Sequence, residues 1–191
     1  MIGPLIWTSG KGLDPRASLK LPGKWFVTLH SGIHAMPLNQ DFEELLSLFN
    51  AARIRYLVVG AYAVMYHAEP RYTKDIDLWI DPRPSNAKKV YRILSEFGAP
   101  LQNIAAEDFM NPKMIYQIGI EPNRIDILMG IGSPSFDQAW ENREETTYGK
   151  AKMNVIGLSD LMKAKKEADR PHDRKDLEVL SQAQKRFRKK T

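Results

Sequence analysis

The chain has 191 residues, enough for one domain of ordinary size with a small appendage and too few for two. With 43% hydrophobic and 27% charged residues it carries enough apolar material for a core. No run of about 18 apolar residues occurs, which excludes a membrane-spanning helix. The absence of cysteine removes disulfides, thiolate metal ligands and Cys nucleophiles together. The net charge of +5 is unevenly spread: residues 160–191 carry 11 Lys/Arg against 6 Asp/Glu, residues 1–35 carry 4 against 1, and residues 36–159 carry 13 against 16. Basic ends therefore flank an acidic centre.

Residues 1–35 are rich in Pro and Gly, with one strand-like patch at Trp25–Leu29, and they lack the apolar core of a secretory signal. They read as a poorly ordered N-terminal extension, with Met36 a candidate start, and the chain as cytoplasmic. Asn39 is placed to cap a helix whose apolar positions Phe42, Leu45, Leu46, Phe49 and Ala52 follow the i, i+3, i+4, i+7 spacing. Tyr56–Val59 reads as a buried strand, closed by Gly60-Ala61 before a helical run from Tyr62 to Ala68. From Lys74 to Ile80 the pattern alternates, Asp75, Asp77 and Trp79 on one side and Ile76, Leu78 and Ile80 on the other.

Ser85 is expected to cap a helix running to Phe97, ended by Gly98 and Pro100. Strands Met114–Ile118 and Arg124–Leu128 follow, joined by a turn at Glu121-Pro122-Asn123. A loop at 130–136, one helical turn at Asp137–Asn142 and strand-like material on both sides of Gly149 come next. Ser159 is expected to cap the last helical pair, Asp160–Asp169 and Asp173–Arg188, split at Arg170-Pro171. The order is α+β, a mixed sheet flanked by helices, with a core over residues 36–158 and basic C-terminal helices over 159–191 packed on it.

Chemistry concentrates in Val58-Val59-Gly60-Ala61 and Asp75-Ile76-Asp77-Leu78. Two carboxylates at i and i+2 of a strand share a face, about 6 to 7 Å apart, and like charges so placed call for a cation between them. Oxygen donors of this kind suit a divalent ion. Asp126, flanked by Ile125 and Ile127, supplies a third carboxylate if its strand lies beside the first. Gly60-Ala61, a strand-to-helix turn without bulky side chains, exposes backbone N–H groups where phosphate oxygens bind. The four histidines show no metal-ligand spacing, and His67 reads as a packed residue of its helix.

Taken together, the Gly-small turn, the apolar-flanked Asp-x-Asp and the later Asp on a strand resemble the nucleotidyltransferase fold of the DNA polymerase β superfamily. The string Arg71-Tyr72-Thr73-Lys74-Asp75-Ile76-Asp77-Leu78 and the tail from Lys163 to Arg174-Lys175-Asp176-Leu177 are similar to small bacterial members, including the AbiEii-type toxin group. The resemblance implies that Asp75, Asp77 and Asp126 are the catalytic metal ligands for two Mg²⁺ ions, with Mn²⁺ as a substitute. It further implies that Gly60, Ala61, Arg71, Thr73, Lys163 and Lys175 bind the nucleotide. Ala61 stands where the family has Gly or Ser, keeping the backbone N–H and losing the hydroxyl. The implied reaction moves a nucleoside monophosphate from an NTP to a hydroxyl of a protein, an RNA such as tRNA, or a small molecule, with a cognate antitoxin as a further partner. The alternatives are a non-catalytic nucleotide- or RNA-binding relative and an antitoxin-type partner protein.

Overall fold

A computed structural model of the chain describes residues 38–68, 73–120 and 123–188, together with the backbone of 28–29 and 32–33; for 187 and 188 it describes the backbone alone. Apart from those four positions, the expected N-terminal extension lies outside the described residues. The four form a two-residue antiparallel ladder, β1 Thr28–Leu29 with β2 Gly32–Ile33.

The main sheet has six strands: β3 Tyr56–Val59, β4 Asp75–Ile80, β5 Ile115–Ile120, β6 Asn123–Leu128, β7 Glu144–Tyr148 and β8 Ala151–Val155. Their order is β5-β6-β4-β3-β8-β7. The sheet is mixed: β4 with β6 and β3 with β8 run parallel, while the β5–β6, β4–β3 and β7–β8 pairs are antiparallel. The strand-like stretches around Gly149 are the β7–β8 hairpin.

Six α-helices and one 3₁₀ turn are described: α1 Gln40–Ala51, α2 Gly60–His67, α3 Pro84–Phe97, the 3₁₀ turn Ala106–Met110, α4 Phe136–Glu141, α5 Leu158–Ala168 and α6 Pro171–Arg188. Asn39 caps α1 as expected, its Oδ1 accepting from the Asp41 N–H at 2.9 Å. Two expected caps lie inside their helices instead. Arg83 is the N-cap of α3 because Pro84, with φ already helical and no N–H to satisfy, takes the first position. Gly157 is the N-cap of α5, pressed so close to the Asn142 carbonyl that a Cβ there would clash.

The two sheet faces differ. On one, Tyr56 meets Phe49 of α1, and Tyr116 meets Phe109, which in turn meets Tyr91 of α3. This apolar face holds Ile76, Leu78, Ile80, Ile125 and Ile127, all buried. On the opposite face Trp79 is covered edge-on by Phe136 of α4 at 5.0 Å. Trp79 thus continues the Asp75 and Asp77 side in period but not in environment: α4 seals one end of that face, and the carboxylates occupy the other. Among the described residues, no helix is long and apolar enough to cross a membrane.

Candidate functional site

Parallel pairing of β4 with β6 places Asp75 opposite Arg124 and Asp77 opposite Asp126. Antiparallel pairing of β6 with β5 puts Gly119 opposite Arg124 and Gln117 opposite Asp126. Because alternate residues of a strand share a face, these six positions form a patch two residues long and three strands wide. The structure therefore brings the three expected carboxylates together. Arg124 binds two of them: its Nη2 donates to Asp75 Oδ2 at 2.9 Å, and its Nε and Nη2 donate to Asp126 Oδ1 and Oδ2 at 2.8 and 3.1 Å. Thr73 Oγ1 donates to Asp75 Oδ1 at 2.7 Å, and Gln117 Nε2 to both oxygens of Asp126 at 3.2 and 3.3 Å.

Asp77 is the carboxylate under most stress. Burial, then the like charges of Asp126 and Asp75, push its carboxyl from the usual 3.8 up to about 6, against the opposing fields of Lys165 and Arg124. Gly60 opens α2 at the end of β3 with φ +61, and a Cβ there would land on Asp77 Oδ2. Only glycine meets both conditions at once. The N-terminus of α2, which has no side-chain cap, therefore starts against the carboxylate patch. Ala61 is buried in its first turn.

Lys165 comes from the C-terminal helices. Its Nζ lies 2.9 Å from Asp173 Oδ1 and 2.7 Å from Asp176 Oδ2, and all three side chains are at most 7% exposed. On α5 it continues the buried stripe of Leu161 and Ala164, while Asp173 and Asp176 share one face of α6 three residues apart. One cation thus serves two buried carboxylates, and Asp173 Oδ2 is left without a hydrogen-bond donor.

The family model described as "Nucleotidyl transferase of unknown function (DUF2204)" matches residues 38–191. The chain belongs to this family. No curated protein matches it in sequence. Among solved structures, a Thermotoga maritima protein assigned as a nucleotidyltransferase shares 14% identity at a TM-score of 0.51, over 73% of this chain and 89% of that one. The lincosamide antibiotic adenylyltransferase LnuA, solved with lincomycin bound, shares 17% identity at a TM-score of 0.48, over 74% of this chain and 95% of that one. The expected nucleotidyltransferase assignment is thereby met at the level of family and fold. The AbiEii-type subgroup is a finer division than the family match makes.

Within this nucleotidyl transferase Lys163 lies on α5 and Lys175 on α6. Lys163 faces Asp160, its Nζ 2.9 Å from Oδ1, and lines a shallow hollow between α5 and α6 with Met162, Lys166 and Leu177. Two residues from Lys165 on a helix means about 200° of rotation, so the two lysines point apart. Lys175 is exposed on α6, and Arg174 ties back to Asp169 at the end of α5. The positive fields that oppose the rise in the Asp77 pKa include those of Lys165 and Arg124. Arg71 lies outside the described residues.

His67 is packed at the far end of α2, as expected. Its Nε2 donates to the Ile156 carbonyl at 2.7 Å, and its Nδ1 lies 3.8 Å from Glu144, which also accepts from Tyr66. Burial lowers its pKa below 6.5, outweighing the Ile156 and Glu144 contributions that raise it. The unfolded chain therefore takes up this proton first, and the stability of the neutral form, present above about 6.5, drains away as pH falls. The urea-midpoint advantage of the wild type over His67→Gln is expected to shrink between pH 7.5 and 5.5; an advantage independent of pH would contradict this.

Proposed function

We propose that the protein transfers a nucleoside monophosphate from an NTP to a hydroxyl acceptor with release of pyrophosphate, using divalent metal held by Asp75, Asp77 and Asp126. The observation that carries this reading is the placement of three carboxylates on adjacent parallel strands, directly against the Gly60 turn that opens α2. The donor set fits Mg²⁺ or Mn²⁺: it is all oxygen, and burial together with the like charges of Asp126 and Asp75, which raise the Asp77 pKa, would be relieved by a cation. Among the described residues no three such groups stand ready-made as a metal cage, consistent with Arg124 already spanning Asp75 and Asp126. A bound divalent ion would supply Lewis-acid activation of the acceptor hydroxyl and neutralise charge on the triphosphate.

The protein's own groups do the rest. Thr73 and Gln117 orient Asp75 and Asp126 through the hydrogen bonds described above. The first backbone N–H groups of α2 face phosphate oxygens, where the helix dipole favours negative charge. Lys165 adds a positive field at Asp77 from the C-terminal helices. Positioning and electrostatics of this kind suffice for in-line displacement.

Incubation of the protein with Mg²⁺ and each labelled NTP, offering total RNA, lysate proteins and small polyhydroxylated molecules in separate reactions, tests the reading. Label on one acceptor class with equimolar pyrophosphate is expected; tight NTP binding with no transfer to any class would favour the non-catalytic alternative. Gly60→Ala is expected to cost roughly 1–3 kcal/mol through backbone strain alone. By displacing Asp77 it should also slow transfer about a hundredfold or more. Urea unfolding and transfer assays on the same preparation measure both, and near-wild-type values would remove Gly60 from the site.

A further inference from the structure

Arg124 is the one residue of the patch whose chemistry opposes its neighbours'. It lies in register with Asp75 and two residues before Asp126, and its guanidinium fork joins them across the strand boundary. Each carboxylate also has a second holder that leaves Arg124 out. Asp75 keeps Thr73 on Oδ1 while Arg124 takes Oδ2; Asp126 keeps Gln117 on both oxygens. On the β5 side Arg124 faces Gly119, a position with no side chain. Each carboxylate therefore keeps a hydrogen-bond donor of its own when the guanidinium turns away.

We propose that Arg124 is an internal counter-cation that competes with divalent metal for Asp75 and Asp126, so that metal is taken up fully only when an anionic nucleotide offers Arg124 another partner. This rests on the metal reading above and goes further, because it makes metal affinity depend on nucleotide. Mutual repulsion of Asp75, Asp77 and Asp126 is relieved by Arg124 in the metal-free protein. A metal ion entering alone must break charge-assisted hydrogen bonds to gain the same oxygens. A triphosphate compensates the displaced guanidinium with bidentate phosphate contacts, for which arginine is well suited. Arg124 thus holds the carboxylates in the metal-free protein and contacts phosphate once nucleotide is bound.

The test is Mn²⁺ binding to the nucleotide-free protein, read by the electron paramagnetic resonance signal of free Mn²⁺. Arg124→Gln is expected to bind Mn²⁺ about ten- to a hundredfold more tightly than wild type, the scale of one or two charge-assisted hydrogen bonds no longer broken. A non-hydrolysable NTP analogue should narrow that gap by strengthening wild-type binding. Arg124→Lys, which keeps the charge and loses the fork, should fall between the two, and it carries the test alone if the Gln variant does not fold. Asp75→Asn in either background should weaken the bound signal, assigning it to this patch. Equal or weaker Mn²⁺ binding by the Arg124 variants overturns the competition while leaving the metal reading in place. No Mn²⁺ bound by any of the proteins, with or without nucleotide, overturns both.

Discussion

Asp77→Asn is expected to abolish nucleotidyl transfer, by about a thousandfold or more, while leaving the fold as stable as the wild type or more so. The two effects share one cause. Asp77 faces Asp126 across the β4–β6 boundary and stands two residues from Asp75, with its carboxylate half-buried against Gly60. Like charges directly opposite each other on neighbouring strands are destabilising. The rise of its pKa from 3.8 to about 6 expresses that repulsion together with burial. Since one unit is worth about 1.4 kcal/mol, and partial exposure screens the effect, the charge costs the metal-free fold on the order of 1–3 kcal/mol near neutral pH.

Asn has nearly the same shape without the charge, and its amide can donate to Asp126. It therefore relieves the repulsion and also removes an anionic ligand from the metal site, where neutralising developing charge is the main catalytic contribution. Asp75→Asn should differ, because Asp75 already has the Arg124 guanidinium as partner and its loss removes that ion pair. Melting temperature and label transfer, measured side by side at pH 7.5, decide the matter. A variant with more than a few per cent of wild-type transfer, or one clearly less stable, would show that Asp77 is a structural carboxylate.

The contrast between Asp77 and Lys165 shows what the sequence could and could not reveal. Asp75, Asp77 and Asp126 were legible because strand period fixes which residues share a face, and apolar neighbours on both sides mark a strand in the core. Their convergence needed the β4–β6 register, a long-range pairing with no local signature. The same period puts Arg124 beside Asp126, so its role was available once the register was known. Helix starts were misplaced by one or two residues because Ser85 and Ser159 look like caps, whereas Pro84 and the crowding at Gly157 decide the boundaries.

Lys165 was hidden among three lysines within four residues, and net charge cannot tell them apart. One signal was present: Lys165 falls on the stripe of Leu161 and Ala164, and Asp173 and Asp176 fall on the stripe that continues to Leu180. A charged residue at a core position of a helix, matched by opposite charge at core positions of the next, indicates a buried ion pair. The resemblance pointed to Lys163 and Lys175, and burial adds Lys165.

Lys165→Met is expected to be the most destabilising single change in the C-terminal helices. Removing the shared cation breaks its buried ion pairs with Asp173 and Asp176, and breaking such a pair typically costs about 3–5 kcal/mol. For a domain of this size that corresponds to a fall in melting temperature of roughly 10 °C. Adding Asp173→Leu and Asp176→Leu to Lys165→Met removes the buried charges together, and most of the lost stability should return, since apolar groups replace an ion cluster at little net cost. Transfer should not return with it. The field of Lys165 reaches Asp77, and without it the carboxylate patch is more negative and less receptive to a triphosphate. A triple variant that is both stable and fully active would limit Lys165 to holding α5 against α6. One that is stable but transfers at least about tenfold more slowly would place it in the electrostatics of the site.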